Sequence, residues 1–193
     1  MRNKQSVFST LGARNYAKTD REEHDYYATP AVAVEELLKV EDFYDTILEP
    51  ACGEGHIAEV LRAKGFSVYS SDLIDRNYGK VKDFFEYQHT SSDIITNPPY
   101  KYAKEFVEHS LEITENKAKI AMLLKLQFLE SKKRRELFDK FPPKYMYVFS
   151  SRISCAKNGK FLANGMGSGN AVAYAWFIWV KGEYDEPRIR WIG

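Results

Sequence analysis

The residues best suited to chemistry are Asn97-Pro98-Pro99-Tyr100. Four consecutive positions supply a side-chain carbonyl, backbone carbonyls stiffened by two prolines, and an aromatic ring. With Pro near 5% of residues, such a string arises by chance in roughly one in a thousand chains of this size. The acceptors suggest a partner. An exocyclic aromatic amine is a weak nucleophile because its lone pair spreads into the ring. The Asn97 carboxamide oxygen and the Pro98 carbonyl suit its two N–H groups. Accepting both draws the nitrogen toward tetrahedral geometry and meets the charge that develops on it. Because Pro fixes φ, these acceptors need little reorganisation. Tyr100 offers a flat face to a planar base, a contact worth roughly 1–3 kcal/mol. A base inside a duplex must be flipped out to reach it. This chemistry calls for no metal, no covalent nucleophile and no histidine.

The elements that position the tetrapeptide follow from apolar patterning. Asp93-Ile94-Ile95-Thr96 reads as a buried strand, so the clamp sits at a strand's carboxyl end, where open α/β sheets place ligands. Upstream, Thr46-Ile47-Leu48 is a short strand followed by Glu49-Pro50-Ala51-Cys52-Gly53-Glu54-Gly55. Ile57, Val60 and Leu61 mark a helix closed by Gly65, and Phe66 to Ser71 is a second strand ending at Asp72. Strand, Gly-rich turn, helix, strand and acid outline a nucleotide-type βαβ unit. Gly53 and Gly55 are expected to let backbone approach a ligand closely. The turn presents backbone N–H groups and the positive end of a helix dipole. It lacks the third Gly of the dinucleotide pattern, and Glu49 and Glu54 would repel a pyrophosphate. An acidic entry suits a ligand carrying an ammonium group. Asp72 is placed for two ribose hydroxyls. Asp83-Phe84 pairs an acceptor for an exocyclic amine with a ring that can stack on a purine.

From Tyr27 to about Leu126 these motifs resemble the S-adenosylmethionine-dependent amino-methyltransferases, in particular the adenine-N6 DNA enzymes of gamma-like motif order. That family carries a Tyr/Glu-X-Thr-Pro element ahead of the Gly loop, matched here by Tyr27-Ala28-Thr29-Pro30. The resemblance implies that Thr29, beside Pro30, touches the methionine carboxylate of S-adenosyl-L-methionine. Glu49, Ala51, Cys52, Gly53 and Gly55 would line its methionine part. Asp72 would hold the ribose, Leu73 would lie against the adenine, and Asp83 and Phe84 would read it. Asn97 would border both cofactor and substrate, with Pro98, Pro99 and Tyr100 completing the catalytic element. The whole chain also looks like small phage-encoded methyltransferases, including Leu123-Leu124-Lys125-Leu126 and Trp176-Phe177-Ile178-Trp179. It departs from the family in lacking a long target-recognition region after Tyr100 and in the shortness of Asp72 to Asp83. The resemblance implies methyl transfer to adenine N6, with DNA as partner. RNA adenine, cytosine N4 and a glutamine side chain fit the same acceptors, and a non-catalytic binding module on the same fold is the rival of another class.

The remaining elements complete an α/β architecture: a Rossmann-like, mainly parallel sheet with helices on both faces. Thr29 as N-cap and Pro30 at the first position open a helix carrying Val34, Leu37 and Leu38. Lys104 to Ile113 is helical, with Phe106, Val107, Ser110 and Leu111 on one face. Lys119 to Leu126 is a strand, and Glu130 to Phe141 is a helix stopped by Pro142-Pro143. Tyr145 to Ser151 and Ala171 to Val180 are two strands, read as an antiparallel hairpin at the sheet edge. Candidate substrate contacts are Lys132-Lys133-Arg134-Arg135 and, in the Gly-rich loop between those strands, Lys157, Lys160 and Phe161. The same basic run has Glu130, Glu136 and Lys140 at pairing distance along a solvated helix face.

Bulk composition is compatible with one domain over 1–193, with 1–25 as an N-terminal arm. The chain has 193 residues, 44% apolar and 28% charged, as in a soluble globular protein. A net charge of +1 gives no global field for nucleic acid, so any such contact must be local. Two cysteines, Cys52 and Cys155, form neither a disulfide framework nor a metal spacing. That usage suits a reducing compartment, and with no signal-like start and no membrane-length apolar run the expected location is cytoplasmic. The sequence leaves oligomeric state open.

Overall fold

One strand of this protein, Tyr174–Val180, is buried on both faces and lies inside the sheet. The computed structural model describes residues 26–157, 159, 161 and 172–193; the expected arm and most of the Gly-rich loop, including Lys160, lie outside them. In chain order the elements are β1 (Tyr27–Ala28), α1 (Ala31–Leu38), β2 (Thr46–Glu49), α2 (His56–Ala63), β3 (Ser67–Asp72), β4 (Lys80–Val81), β5 (Asp93–Thr96), α3 (Ala103–Ile113), β6 (Lys119–Lys125), α4 (Lys132–Lys140), β7 (Tyr145–Phe149), β8 (Ala156–Lys157), β9 (Tyr174–Val180) and β10 (Arg188–Ile192). Eight strands form one sheet in the order β10-β7-β9-β6-β5-β2-β3-β4, and β1 pairs with β8 in a separate ribbon. Within the large sheet β9 runs antiparallel to both neighbours, and every other adjacent pair is parallel.

The α/β sandwich with a mainly parallel sheet is as the patterning indicated, and β7 and β9 are antiparallel as expected. Their place differs. They are interior, because β9 lies between β6 and β7, and β10 forms the edge. All seven residues of β9 are buried, as a strand covered on both faces requires. Strand alternation divides the core in two. Ile47, Ile95, Leu123, Trp176 and Ile178 face α1 and α2, while Leu48, Ile94, Met122, Phe177 and Trp179 face α3 and α4. Ala33, Val34 and Leu37 of α1 and Phe106, Val107 and Leu111 of α3 recur at helical spacing and are buried.

Two indole donors tie β9 to both layers: Trp176 Nε1 donates to the Ala33 carbonyl at 2.8 Å, and Trp179 Nε1 to the Phe141 carbonyl at 3.0 Å. Asp93, buried at the start of β5, accepts from the Tyr44 amide at 2.7 Å and the Lys119 amide at 2.6 Å. That holds β5 and β6 in the register Ile94↔Ile120. The stretch between Asp72 and Asp83 is short, and β4 is correspondingly a two-residue strand. α4 starts at Lys132, two residues later than the sequence suggested, and is capped by Ser131, whose side chain accepts from the Lys133 amide. Among the described residues no helix is long and apolar enough to cross a membrane.

Trp176→Phe removes a buried donor and leaves unfilled volume in a layer with no exposure. The expected cost is about 1–3 kcal/mol. Urea denaturation measures it as a lower midpoint at unchanged slope; an unaltered midpoint would show that α1 is not held through β9.

Candidate active site

Chain order places β2 at the centre of the sheet's reversal: the path goes outward through β3 and β4, then returns to β5 on the other side of β2. Such a switch point opens a crevice at the carboxyl ends of the strands. A cavity of about 480 Å³ lies there, within the range of small-molecule sites. Its wall comes from Glu49 to Cys52 after β2, Asp72 to Ile74 and Arg76 after β3, Asp83 to Phe85 after β4, and Asn97 and Pro99 after β5. Tyr26 to Thr29, His56, Ile57, Lys101, Tyr102 and Phe106 complete it.

Asn97 has a fixed amide. Its Nδ2 donates to the Tyr27 carbonyl at 2.8 Å and to the Thr29 hydroxyl at 3.1 Å. Its Oδ1 is buried without a hydrogen-bond partner. Thr29 is therefore not the helix cap expected from its place before Pro30. Pro30 occupies the cap in extended conformation and makes no side-chain bond, while the buried Thr29 hydroxyl serves Asn97. The β1–β8 ribbon, pairing Ala28 with Ala156, holds this segment against the sheet.

Glu49 is 1% exposed, and its Oε2 also lacks a partner. Burial pushes its carboxyl well above the usual range, against the pull of the Ala58 backbone N–H and the Arg62 guanidinium, with Asp72 adding to the rise. Asp72 already serves the backbone: Oδ2 accepts from the Gly53 amide at 2.8 Å and Oδ1 from the Ile74 amide at 2.9 Å. Asp83 accepts from the Phe85 amide at 3.0 Å as cap of a short 3₁₀ turn, with Phe84 buried behind it. Leu73 is 61% exposed at the cavity wall. The Cys52 thiol, pushed up to about 12 chiefly by burial and by the nearby acids, is not a nucleophile at neutral pH.

The glycines also make room within the protein. Gly53 and Gly55 do have positive φ, +55° and +86°, but the groups they accommodate are protein rings. A Cβ on Gly53 would stand 2.2 Å from the Tyr26 ring, and one on Gly55 would stand 2.3 Å from the Tyr78 ring. Tyr26 is the centre of a small cluster. Its hydroxyl accepts from the Glu54 amide at 3.3 Å and lies 3.3 Å from His56 Nδ1, and the Arg76 guanidinium stacks 4.2 Å from its ring centroid. Burial lowers the His56 pKa, so the imidazole is neutral at pH 7, with Phe161 against it at 5.4 Å. Tyr26, His56 and Arg76 escaped the sequence reading because no local motif contains them. An Arg four residues after the ribose-type acid is the nearest signal.

Tyr100 borders this cavity's wall without lining it: its ring neighbours Tyr27 and its hydroxyl neighbours Asn97. Its hydroxyl is buried beside Cys155 and Tyr174, which together with desolvation keep the phenol protonated. Its ring has Tyr27 at 5.5 Å and Tyr174 at 6.1 Å, and the Lys125 ammonium is 4.0 Å from its centroid. A second cleft of about 120 Å³ touches Tyr100, Lys125, Gln127, Phe128 and Arg134. Of the basic run, Arg134 donates to the carbonyls of Phe128, Gln127 and Glu130, and Arg135 pairs with Asp139 at 2.6 Å. Lys132 and Lys133 are exposed in the first turn of α4. Glu130 thus meets Arg134 through its carbonyl rather than its carboxylate.

The cavity fits a ligand with both cationic and hydroxyl groups: unpartnered acceptors on Glu49 and Asn97, further acids at Asp72 and Asp83, and a buried aromatic at Phe84. Glu49 holds a proton in the folded state that the unfolded chain releases near the ordinary carboxylate value. Stability of the free protein should therefore fall as pH rises above that value, through the raised pKa. Asp93, also raised by burial, acts in the same direction. Glu49→Gln should flatten this fall and raise the denaturation midpoint at pH 7 relative to the parent. Urea titrations between about pH 5 and 8 test it, and parallel curves for the two proteins would refute the assignment.

No protein-family model and no curated protein sequence matches the chain. Solved structures do. A candidate RNA methyltransferase from Pyrococcus horikoshii superposes with TM-score 0.60 at 15% identity, over 93% of this chain and 99% of that one. A modification subunit of a candidate type I restriction enzyme from Vibrio vulnificus gives 0.57 at 14% identity, over 96% of this chain and 50% of that one. A candidate class I S-adenosylmethionine-dependent methyltransferase from Listeria monocytogenes gives 0.54 at 13% identity, over 97% and 70%. These are likenesses of fold, and they make the architecture of this chain the Rossmann-like fold of S-adenosylmethionine-dependent methyltransferases.

Proposed function

We propose that residues 1–193, with 1–25 as an N-terminal arm, form a single methyltransferase domain that uses S-adenosyl-L-methionine to methylate the exocyclic N6 amine of adenine, in DNA as first choice. The carrying observation is Asn97: both amide protons are committed to Tyr27 and Thr29, and the buried Oδ1 at the cavity wall has no partner. A buried acceptor left unpaired costs about 1–3 kcal/mol, which an incoming N–H recovers. Neighbours of the same fold bearing names of S-adenosylmethionine-dependent and nucleic-acid methyltransferases support the reading.

Bound in the cavity, S-adenosylmethionine supplies an activated methyl group on a sulfonium. Glu49 would hold the ammonium, whose charge would favour its carboxylate form. Asp72 takes the ribose hydroxyls with the lone pairs that Gly53 and Ile74 leave free. Asp83 and Phe84 take the adenine. Asn97 Oδ1 and the Pro98 carbonyl accept the target amine's two N–H groups, hold it for in-line attack, and offset the positive charge that grows on nitrogen. The surplus proton then leaves to water. Tyr100 stacks on the target base once the Lys125 ammonium is displaced from the ring. RNA adenine is the second reading, supported by the Pyrococcus neighbour, whose whole length this chain matches.

Asn97→Ala should leave cofactor affinity within about threefold while lowering turnover by about 10²–10³-fold, the usual loss for one transition-state hydrogen-bonding group. Calorimetry with S-adenosylhomocysteine and tritiated-methyl transfer to unmethylated DNA separate the two effects. Expression in a host without adenine methylation, followed by mapping of modified bases in DNA and RNA, identifies the polymer. Turnover that persists in Asn97→Ala would overturn the role given to this residue.

A further inference from the structure

We propose that Arg76 is the anion anchor of the main cavity, binding the carboxylate at the amino-acid end of the cofactor and so selecting a ligand with an intact amino acid. The inference rests on the cofactor reading above. An α-amino acid brings one cation and one anion into the site. The acids Glu49, Asp72 and Asp83 suit the cation and the hydroxyls, but not the carboxylate, and Thr29, which the resemblance places against that carboxylate, offers it one neutral hydroxyl and no charge. His56 is neutral, and Lys101 is exposed at the rim with its ammonium 5.0 Å from the Tyr102 ring.

Arg76 is placed for the missing role. Among the described residues its guanidinium makes a stacking contact, 4.2 Å from the Tyr26 centroid, and no hydrogen bond or ion pair. Its Nε is buried and unpartnered. A guanidinium's donors form a rigid fork, so the buried Nε left without an acceptor is costly, and a carboxylate satisfies two N–H groups at once. Tyr26 fixes the position. Its ring lies against Gly53, where a Cβ would stand 2.2 Å away, and its hydroxyl meets the Glu54 amide. The guanidinium is thus stacked on a ring that is itself seated on the Gly loop, the wall assigned to the methionine part rather than to the adenine.

Calorimetry with three nucleosides tests the assignment: S-adenosylhomocysteine, its decarboxylated analogue, and 5′-methylthioadenosine, which lacks the amino acid altogether. The parent protein should prefer S-adenosylhomocysteine over the decarboxylated analogue by at least about tenfold, the scale of one charge-assisted pair. Arg76→Met should lose that preference and bind 5′-methylthioadenosine within twofold of the parent. Arg76→Lys, which keeps the charge but not the fork, should fall between them and serves as the variant if Arg76→Met does not fold. Equal affinity of the parent for the first two ligands overturns the inference. So does an Arg76→Met protein that keeps the preference, or one that loses all three ligands equally, because Arg76 would then serve the nucleoside or the Tyr26 packing. A parent that binds none of the three overturns the cofactor reading itself.

Discussion

The site depends on one side-chain amide whose two hydrogens are already spoken for. Asn97 donates to the Tyr27 carbonyl and the Thr29 hydroxyl, about seventy residues earlier in the chain. That pairing orients the carboxamide and leaves its oxygen, rather than its nitrogen, without a partner. The supports form a sequence of their own. Thr29 is positioned by β1, β1 is paired with β8, and Cys155, next to β8, packs in the layer that holds Tyr174 and Trp176 of β9. The antiparallel strand β9 thus reaches the chemistry through a two-residue ribbon. Loosening any of these would turn the amide before it removed the residue.

Charge in the cavity follows a similar economy. Glu49 is too buried to carry a charge alone, so it stays protonated until a cation arrives. Arg76 cannot shed its charge, and in the free protein it rests on a tyrosine face instead of an anion. Asp72 spends one lone pair on each of two backbone amides and so shapes the loops after β2 and β3 before it meets any ligand. The free site is therefore assembled but electrostatically incomplete, which favours a ligand with both signs of charge over a purely anionic nucleotide. The absence of a third Gly points the same way, because the glycines present admit Tyr26 and Tyr78, not a pyrophosphate.

Much of this was legible in the sequence, for physical reasons that differ by element. β2, β5 and β6 are short buried runs, β3 is bounded by Gly65 and Asp72, and their order around Gly53 and Asp72 is local information. The burial of Phe106, Val107, Ser110 and Leu111 follows directly from helical spacing. The interior place of β9 was also available, since seven consecutive residues without an exposed polar face argue against an edge. β10 was not. Arg188-Ile189-Arg190-Trp191 alternates, but most of its side chains stay exposed, so no burial pattern announces it. Thr29 misled because Thr before Pro is a good helix opening on local grounds, while its actual partner is remote. Tyr26 and Arg76 meet only in space, and no spacing rule joins positions fifty apart.

The tetrapeptide does two jobs that the fold has separated. Asn97 and Pro99 face the main cavity, whereas Tyr100 turns into the second cleft with its hydroxyl buried and Lys125 over its ring. The proline pair between them sets that divergence by fixing the backbone. The basic residues near the second cleft shape rather than attract: Arg134 gathers the carbonyls of Gln127 and Phe128 in the Leu126–Leu129 turn and of Glu130 after it, and Arg135 is paired with Asp139. A chain of net charge +1 that spends its arginines this way has little long-range pull on a polyanion. Discrimination must then come from shape at short range, where the Tyr100 ring and the fixed Asn97 acceptor together define what fits: a flat base carrying an amine at its edge.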